Sequence, residues 1–118
     1  MKGEPEMSKI LNQYPVDMDK RTVYRLTKAN TVEKVSEIAG SVINPSAWIL
    51  YEDQDEKTGE LKTVLTIEDN GELFGTISKT FIKAFIDAAE FFGEELGSVK
   101  VISGKSKAGR EYVTCEIV

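Results

Sequence analysis

The stretch Gly75-Thr76-Ile77-Ser78-Lys79-Thr80 ends as a phosphate-binding loop ends, on a lysine followed by a hydroxyl. A Walker-type loop also needs two glycines ahead of that lysine, so that bare backbone N–H groups can curl around phosphate. Those positions hold Ser78 and Leu73, which excludes this chemistry. Ser78 has another use. Placed between a strand and an apolar run, its hydroxyl accepts an orphan N–H from the first turn of a helix. Histidine is absent and Cys115 is the single cysteine, so composition removes Ser-His-Asp and Cys-His arrangements, an internal disulfide and a four-ligand structural zinc site. No carboxylates pair at a spacing suited to acid–base work. No metal or cofactor is expected, and the pattern points away from an enzyme.

What remains is the chemistry of flat rings and cations, which together can hold an unpaired nucleic-acid strand. The candidate rings are Trp48, Tyr51, Phe74 and Tyr112, and the candidate cations are Arg21, Arg25, Lys105, Lys107 and Arg110. The net charge of −5 argues mildly against nucleic acid, but the charge is uneven. Residues 20–35 carry Lys20, Arg21, Arg25, Lys28 and Lys34 against Glu33 alone. Residues 98–118 carry Lys100, Lys105, Lys107 and Arg110 against Glu111 and Glu116, while the segment between is strongly acidic. The two basic segments matter only if the fold unites them.

Strand alternation assigns the rings to faces. Val113, Cys115 and Ile117 share an apolar side of the last strand, so Tyr112 points outward beside Arg110. Trp48 and Leu50 share one side of their strand while Ile49 and Tyr51 share the other. Trp48 and Tyr51 therefore cannot enter the same core. Phe74 lies between Gly71 and Gly75, small neighbours that leave a ring accessible. Each ring also has the ordinary alternative of packing in a core or across a strand pair, and hairpin lysines often only solubilise.

The elements that must position these groups are read from periodicity and turn residues. Residues 1–19 read as a flexible leader interrupted by Pro5 and Pro15, followed by a single domain over 20–118. No apolar run approaches the roughly 20 residues that cross a bilayer, and no signal peptide is visible. With one cysteine, this suggests the reducing cytoplasm. Thr22–Thr27 alternates as a strand, and 31–40 as a short strand or turn. Strands follow over Ala47–Glu52 and Leu61–Asp69, joined by an acidic loop (52–60). Asn70-Gly71 marks a two-residue hairpin into 72–77. Residues 78–92 form an apolar-rich helix, with a polar stripe of Lys79, Lys83, Asp87 and Glu90. Strands over 98–103 and 110–118 close the chain around the basic loop 104–109. The β-β-β-α-β-β order is that of a mainly β, OB-fold-like small barrel with one helix; the alternative is an α+β antiparallel sheet with one packed helix.

The block GELFGTISKT, the apolar helix after it and SVKVISGKSKAGREYVTCEIV resemble the single-stranded-DNA-binding proteins of Bacillus phages that replicate by protein priming. The likeness covers residues 61–118 well, 41–60 less well and little before 40. It implies sequence-tolerant, non-enzymatic coating of single-stranded DNA during phage replication in the host cytoplasm. The replication DNA polymerase becomes a candidate partner, with self-association open and no membrane involved. The family contacts DNA through tyrosines. Two of those positions fall on Tyr51 and Phe74, the second keeping the ring and losing the hydroxyl. A third, in the hairpin after Tyr51, has no aromatic counterpart here, which leaves Trp48 or Tyr112 as substitutes. The competing reading is an adaptor whose helix 78–92 meets another protein.

Overall fold

A computed structural model describes residues 9–28, 32–54 and 57–118. The chain runs β1 (Lys9–Tyr14), α1 (Lys20–Lys28), β2 (Glu33–Lys34), a 3-10 turn (Val35–Ile38), β3 (Val42–Ile43), β4 (Ala47–Gln54), β5 (Leu61–Asp69) and β6 (Glu72–Thr76). It continues through α2 (Lys79–Phe92), a second 3-10 turn (Gly93–Glu95), β7 (Val99–Lys105) and β8 (Glu111–Ile117). Asn70 and Gly71 take φ of 52° and 93°. Positive φ at both central residues is the type I′ geometry that folds β5 tightly back on β6. The strands order as β1-β4-β5-β6-β2 in a five-stranded sheet and β3-β7-β8 in a three-stranded one. The fold is mainly β with one main helix, and among the described residues the two sheets do not join into a closed barrel.

Two local readings change and a third, the short strand or turn over 31–40, becomes specific. Lys9–Tyr14, expected within a flexible leader, is a strand paired antiparallel with β4; residues 1–8 lie outside the described residues. The segment 31–40 resolves into β2, parallel to β6, and the 3-10 turn, with Thr31 outside the description, as are Ala29 and Asn30 of the turn before it. The largest correction is Thr22–Thr27, a helix rather than a strand. Asp19 starts it: its carbonyl accepts from Val23 N at 3.0 Å and its carboxylate from Thr22 N at 2.9 Å. The Thr22 hydrogen bonds hold the Asp19 carboxyl below its usual range, as expected for a carboxylate capping a helix N-terminus. Val23 and Leu26 then fall on one helical face, where Leu26 is buried with Ala47, Ile49, Tyr51 and Leu73.

The five-stranded sheet is thus covered on both sides. Trp48, Leu65, Ile67 and Phe74 pack with Phe81 and Phe85 of α2 and with Val99, Val101 and Val113 of the smaller sheet. Ala47, Ile49, Tyr51 and Leu73 on the opposite face lie beneath α1. Ser78 joins the halves of the main core. Its hydroxyl accepts from Phe81 N at 3.2 Å, capping α2, and donates to the Val113 carbonyl at 3.3 Å. The helix-cap reading of the GTISKT stretch is what the fold uses. No helix among the described residues is long and apolar enough to cross a membrane.

Ser78→Ala removes both contacts and is expected to lower unfolding free energy by about 1–2 kcal/mol in urea titrations. Ser78→Asn, which keeps a cap acceptor, should recover part of that loss. Burial pushes the Cys115 thiol up to about 11. A raised acid pKa keeps the neutral thiol, so at mildly alkaline pH the reactive thiolate is roughly a hundredfold scarcer than in an ordinary cysteine. A disulfide reagent should label native Cys115 correspondingly slowly and urea-unfolded protein at the normal rate.

Candidate functional site

The two covers decide the fate of the candidate rings. Trp48 is 5 % exposed and meets Phe85 edge-on, with centroids 5.6 Å apart. Phe74 is also 5 % exposed and belongs to the same core. Neither offers a face to a ligand, and Phe74 is not opened by its glycine neighbours. Gly75 stands beside Val32 rather than solvent: a Cβ there would come within 2.9 Å of Val32 Cγ1. Tyr51 is 7 % exposed. Burial raises its pKa, and a hydrogen bond with Thr66 opposes the rise. Trp48 and Tyr51 do enter different cores, as alternation requires, but both are interior because a helix lies over the face expected to be open.

Tyr112 is different. It is 41 % exposed and sits opposite Gly104 in the β7–β8 ladder. A Cβ at Gly104 would lie 2.7 Å from Tyr112 Oη and 2.8 Å from Cζ. The ring therefore lies across the glycine, a close approach that only a residue without a side chain permits.

Two cavities meet near this ring. One, of about 520 Å³, has Tyr51 among its walls with Leu26, Thr27, Lys34, Thr66 and Thr76. The other, of about 510 Å³, is lined by Ser103, Gly104, Lys105 and Tyr112. Ser36, Ser78 and Val113 line both, so the two form one trough across the seam between the sheets. Lys34 and Lys105 give it cations, while Glu33 and Glu111 on the same walls temper the field. The hydroxyls of Thr27, Thr76 and Ser78 are engaged within the fold, with Val23 O, Ser78 N, and Phe81 N and Val113 O respectively, so the exposed Ser36 and Ser103 are the hydroxyls the walls offer.

The expected cations divide. Lys105 enters the trough. Lys107 and Arg110 are exposed on the hairpin beyond it, which is ordered by Ser106 N to Arg110 O at 2.8 Å, Gly109 N to Ser106 O at 2.9 Å and Arg110 N to Ser106 Oγ at 3.2 Å. Among the described residues none of these three cations forms a salt bridge. Arg25 is taken by Glu68, with Nη1 and Nη2 both donating to the carboxylate and the second contact at 3.3 Å. That hydrogen bonding raises the Arg25 pKa further and pins α1 to β5. Arg21 is exposed on α1 and lines neither cavity. Lys34 was missed. Its place depends on the parallel β2–β6 pairing, which leaves no mark in local sequence. Among the described residues no three Cys, Asp or Glu converge to hold a metal.

Gly104→Ala should cost less than about 1 kcal/mol, because the displaced atoms are the free end of an exposed ring. Gly75→Ala should cost more, about 1–3 kcal/mol, because a β-branched side chain between strand and loop has to give. Parallel urea titrations test the order, and loss of nuclear Overhauser contacts between Tyr112 and residue 104 reports the displaced ring. No protein-family model, curated protein or solved structure matches this chain.

Proposed function

We propose that this chain binds single-stranded DNA along the trough, without catalysis and with little regard to sequence, in the service of phage DNA replication. The observation that carries this reading is Tyr112, an exposed ring laid over Gly104 beside Lys105 at one end of a trough that continues to Lys34. Tyr112 is the stacking platform. Lys34, Lys105, Lys107 and Arg110 are the phosphate contacts, and the Ser36 and Ser103 hydroxyls meet sugar and base edges. Trp48 and Phe74 are withdrawn as contacts, and Arg25 is a structural cation. Tyr51 is a wall of the trough rather than an open platform. In this reading the two sheets are the halves of an OB-like barrel left open along the seam. The resemblance of residues 61–118 to phage single-stranded-DNA-binding proteins supports it.

The exposed end of α2 favours a second reading, an adaptor that meets another protein there. Specific capture of one protein, with indifference to DNA, would select it.

Anisotropy of a labelled oligo-dT tests the DNA reading. Tyr112→Ala should weaken binding by about 1–3 kcal/mol, roughly five- to 150-fold. Neutralising Lys105, Lys107 and Arg110 together should flatten the log–log salt dependence by about 2, since each phosphate contact on a single strand contributes about 0.7. Trp48 emission should change little on binding, because the indole is sealed against Phe85. Absence of binding at low salt eliminates the proposal.

A further inference from the structure

The C-terminal end of α2 exposes a ring that the fold does not use. Phe91 is 82 % exposed, the most exposed aromatic side chain among the described residues, and stands T-shaped against Phe92 at 4.9 Å. Leaving a phenyl ring in water forgoes the free energy its burial would release. Around the pair stand Glu94 and Glu95, both exposed, and Glu90, exposed but accepting from Asn12 Nδ2 at 3.3 Å. The other end of α2 has the opposite character. Ser78 caps it and shares a cavity with Lys105, whose hairpin also presents Lys107 and Arg110. The helix between is fourteen residues, so the acidic aromatic end and the basic hairpin are separated by about 20 Å. They cannot meet within one molecule, but they complement each other in charge and in chemistry between two.

We propose that the Phe91–Phe92 end of α2 docks the hairpin carrying Lys105, Lys107 and Arg110 of a second copy of this chain. The carboxylates of Glu94 and Glu95, with Glu90 behind them, face the three cations. The guanidinium of Arg110 is suited to the face of an exposed phenyl ring, where a cation is attracted by the ring quadrupole. The two halves of the contact are different surfaces on opposite ends of α2, so the association is head-to-tail. Such contacts propagate into open chains unless the rotation closes them into a ring. The small apolar centre makes each contact weak, with charge supplying orientation and register. This goes beyond the DNA reading and does not need it, since both surfaces exist on the free protein.

Sedimentation velocity of the DNA-free full chain, from micromolar to millimolar concentration, tests it. The weight-average sedimentation coefficient should rise with concentration at low salt and fall back at high salt. A helix-end variant (Phe91→Ser, Glu94→Gln, Glu95→Gln) and a hairpin variant (Lys105→Gln, Lys107→Gln, Arg110→Gln) should each remain monomeric. All six positions are exposed, and unchanged urea midpoints will establish that both variants are folded. An equimolar mixture of the two should associate again and stop at two chains, because each retains one intact half. A wild type that stays monomeric throughout overturns the proposal. So does association that survives either variant, or a mixture that fails to recover it. Because no DNA is present, these outcomes are independent of whether oligo-dT binds.

Discussion

Ala47-Trp48-Ile49-Leu50-Tyr51 puts apolar side chains on both sides of β4, and an antiparallel strand of that kind needs a cover on each face. The fold meets that constraint with different material on the two sides. The Trp48 side closes on α2 and the β3-β7-β8 sheet, and the Tyr51 side closes on α1. Because α1 spans only Lys20–Lys28, the cover stops short of Thr76, which is half-buried. The trough begins where that cover stops. The requirement to bury two apolar faces thus seals three of the four candidate rings and also leaves the seam that remains available.

Electrostatics sort the cations by the same geometry. Glu68 projects from β5 on the side that α1 covers, so the arginine nearest it, Arg25, is committed to holding the helix. Replacing a hydrated guanidinium by one held in two charge-assisted hydrogen bonds suits a structural clamp better than a mobile phosphate contact. Lys105, Lys107 and Arg110 sit on a two-stranded hairpin that reaches past the sheet, away from the acidic middle of the chain. Glu111 stands opposite Lys105 in that ladder, yet among the described residues no salt bridge holds any of the three, which leaves them available to an external anion.

Features set by a few adjacent residues were legible in the sequence. Asn70-Gly71 demands positive φ, Ser78 precedes an apolar helix, and the hairpin at 104–110 is bracketed by strands; each appears as read. The failures are nonlocal or ambiguous in period. Thr22-Val23-Tyr24-Arg25-Leu26-Thr27 alternates as a strand does, yet Val23 and Leu26 are also three apart. Asp19 at the N-cap position was the signal that favours the helix. Taking that segment as a strand left the Tyr51 face without a cover and made the ring look open. Pairing of β1 with β4 joins residues some forty apart, and no local pattern in KILNQY announces it. Tyr112 was placed outward correctly because its own strand decides that, whereas Lys34 reaches the trough only through β2 joining β6.

The helix that supports the core also separates the molecule's two unlike ends. Its first turn is fixed by a serine shared with the Val113 carbonyl, so the position of α2 along β8 is tied to the strand that carries Tyr112. The buried Phe81, Phe85 and Ala89, four residues apart, then hold one face of the helix against the main core, and Phe91, two residues past Ala89, falls on the opposite face. Rotating the helix to bury Phe91 would withdraw Phe81 and Phe85 from their fully buried sites. The exposed ring is therefore a consequence of which face the core takes. Any partner that covers it acts on a surface whose orientation relative to the Tyr112 trough is already set by the core.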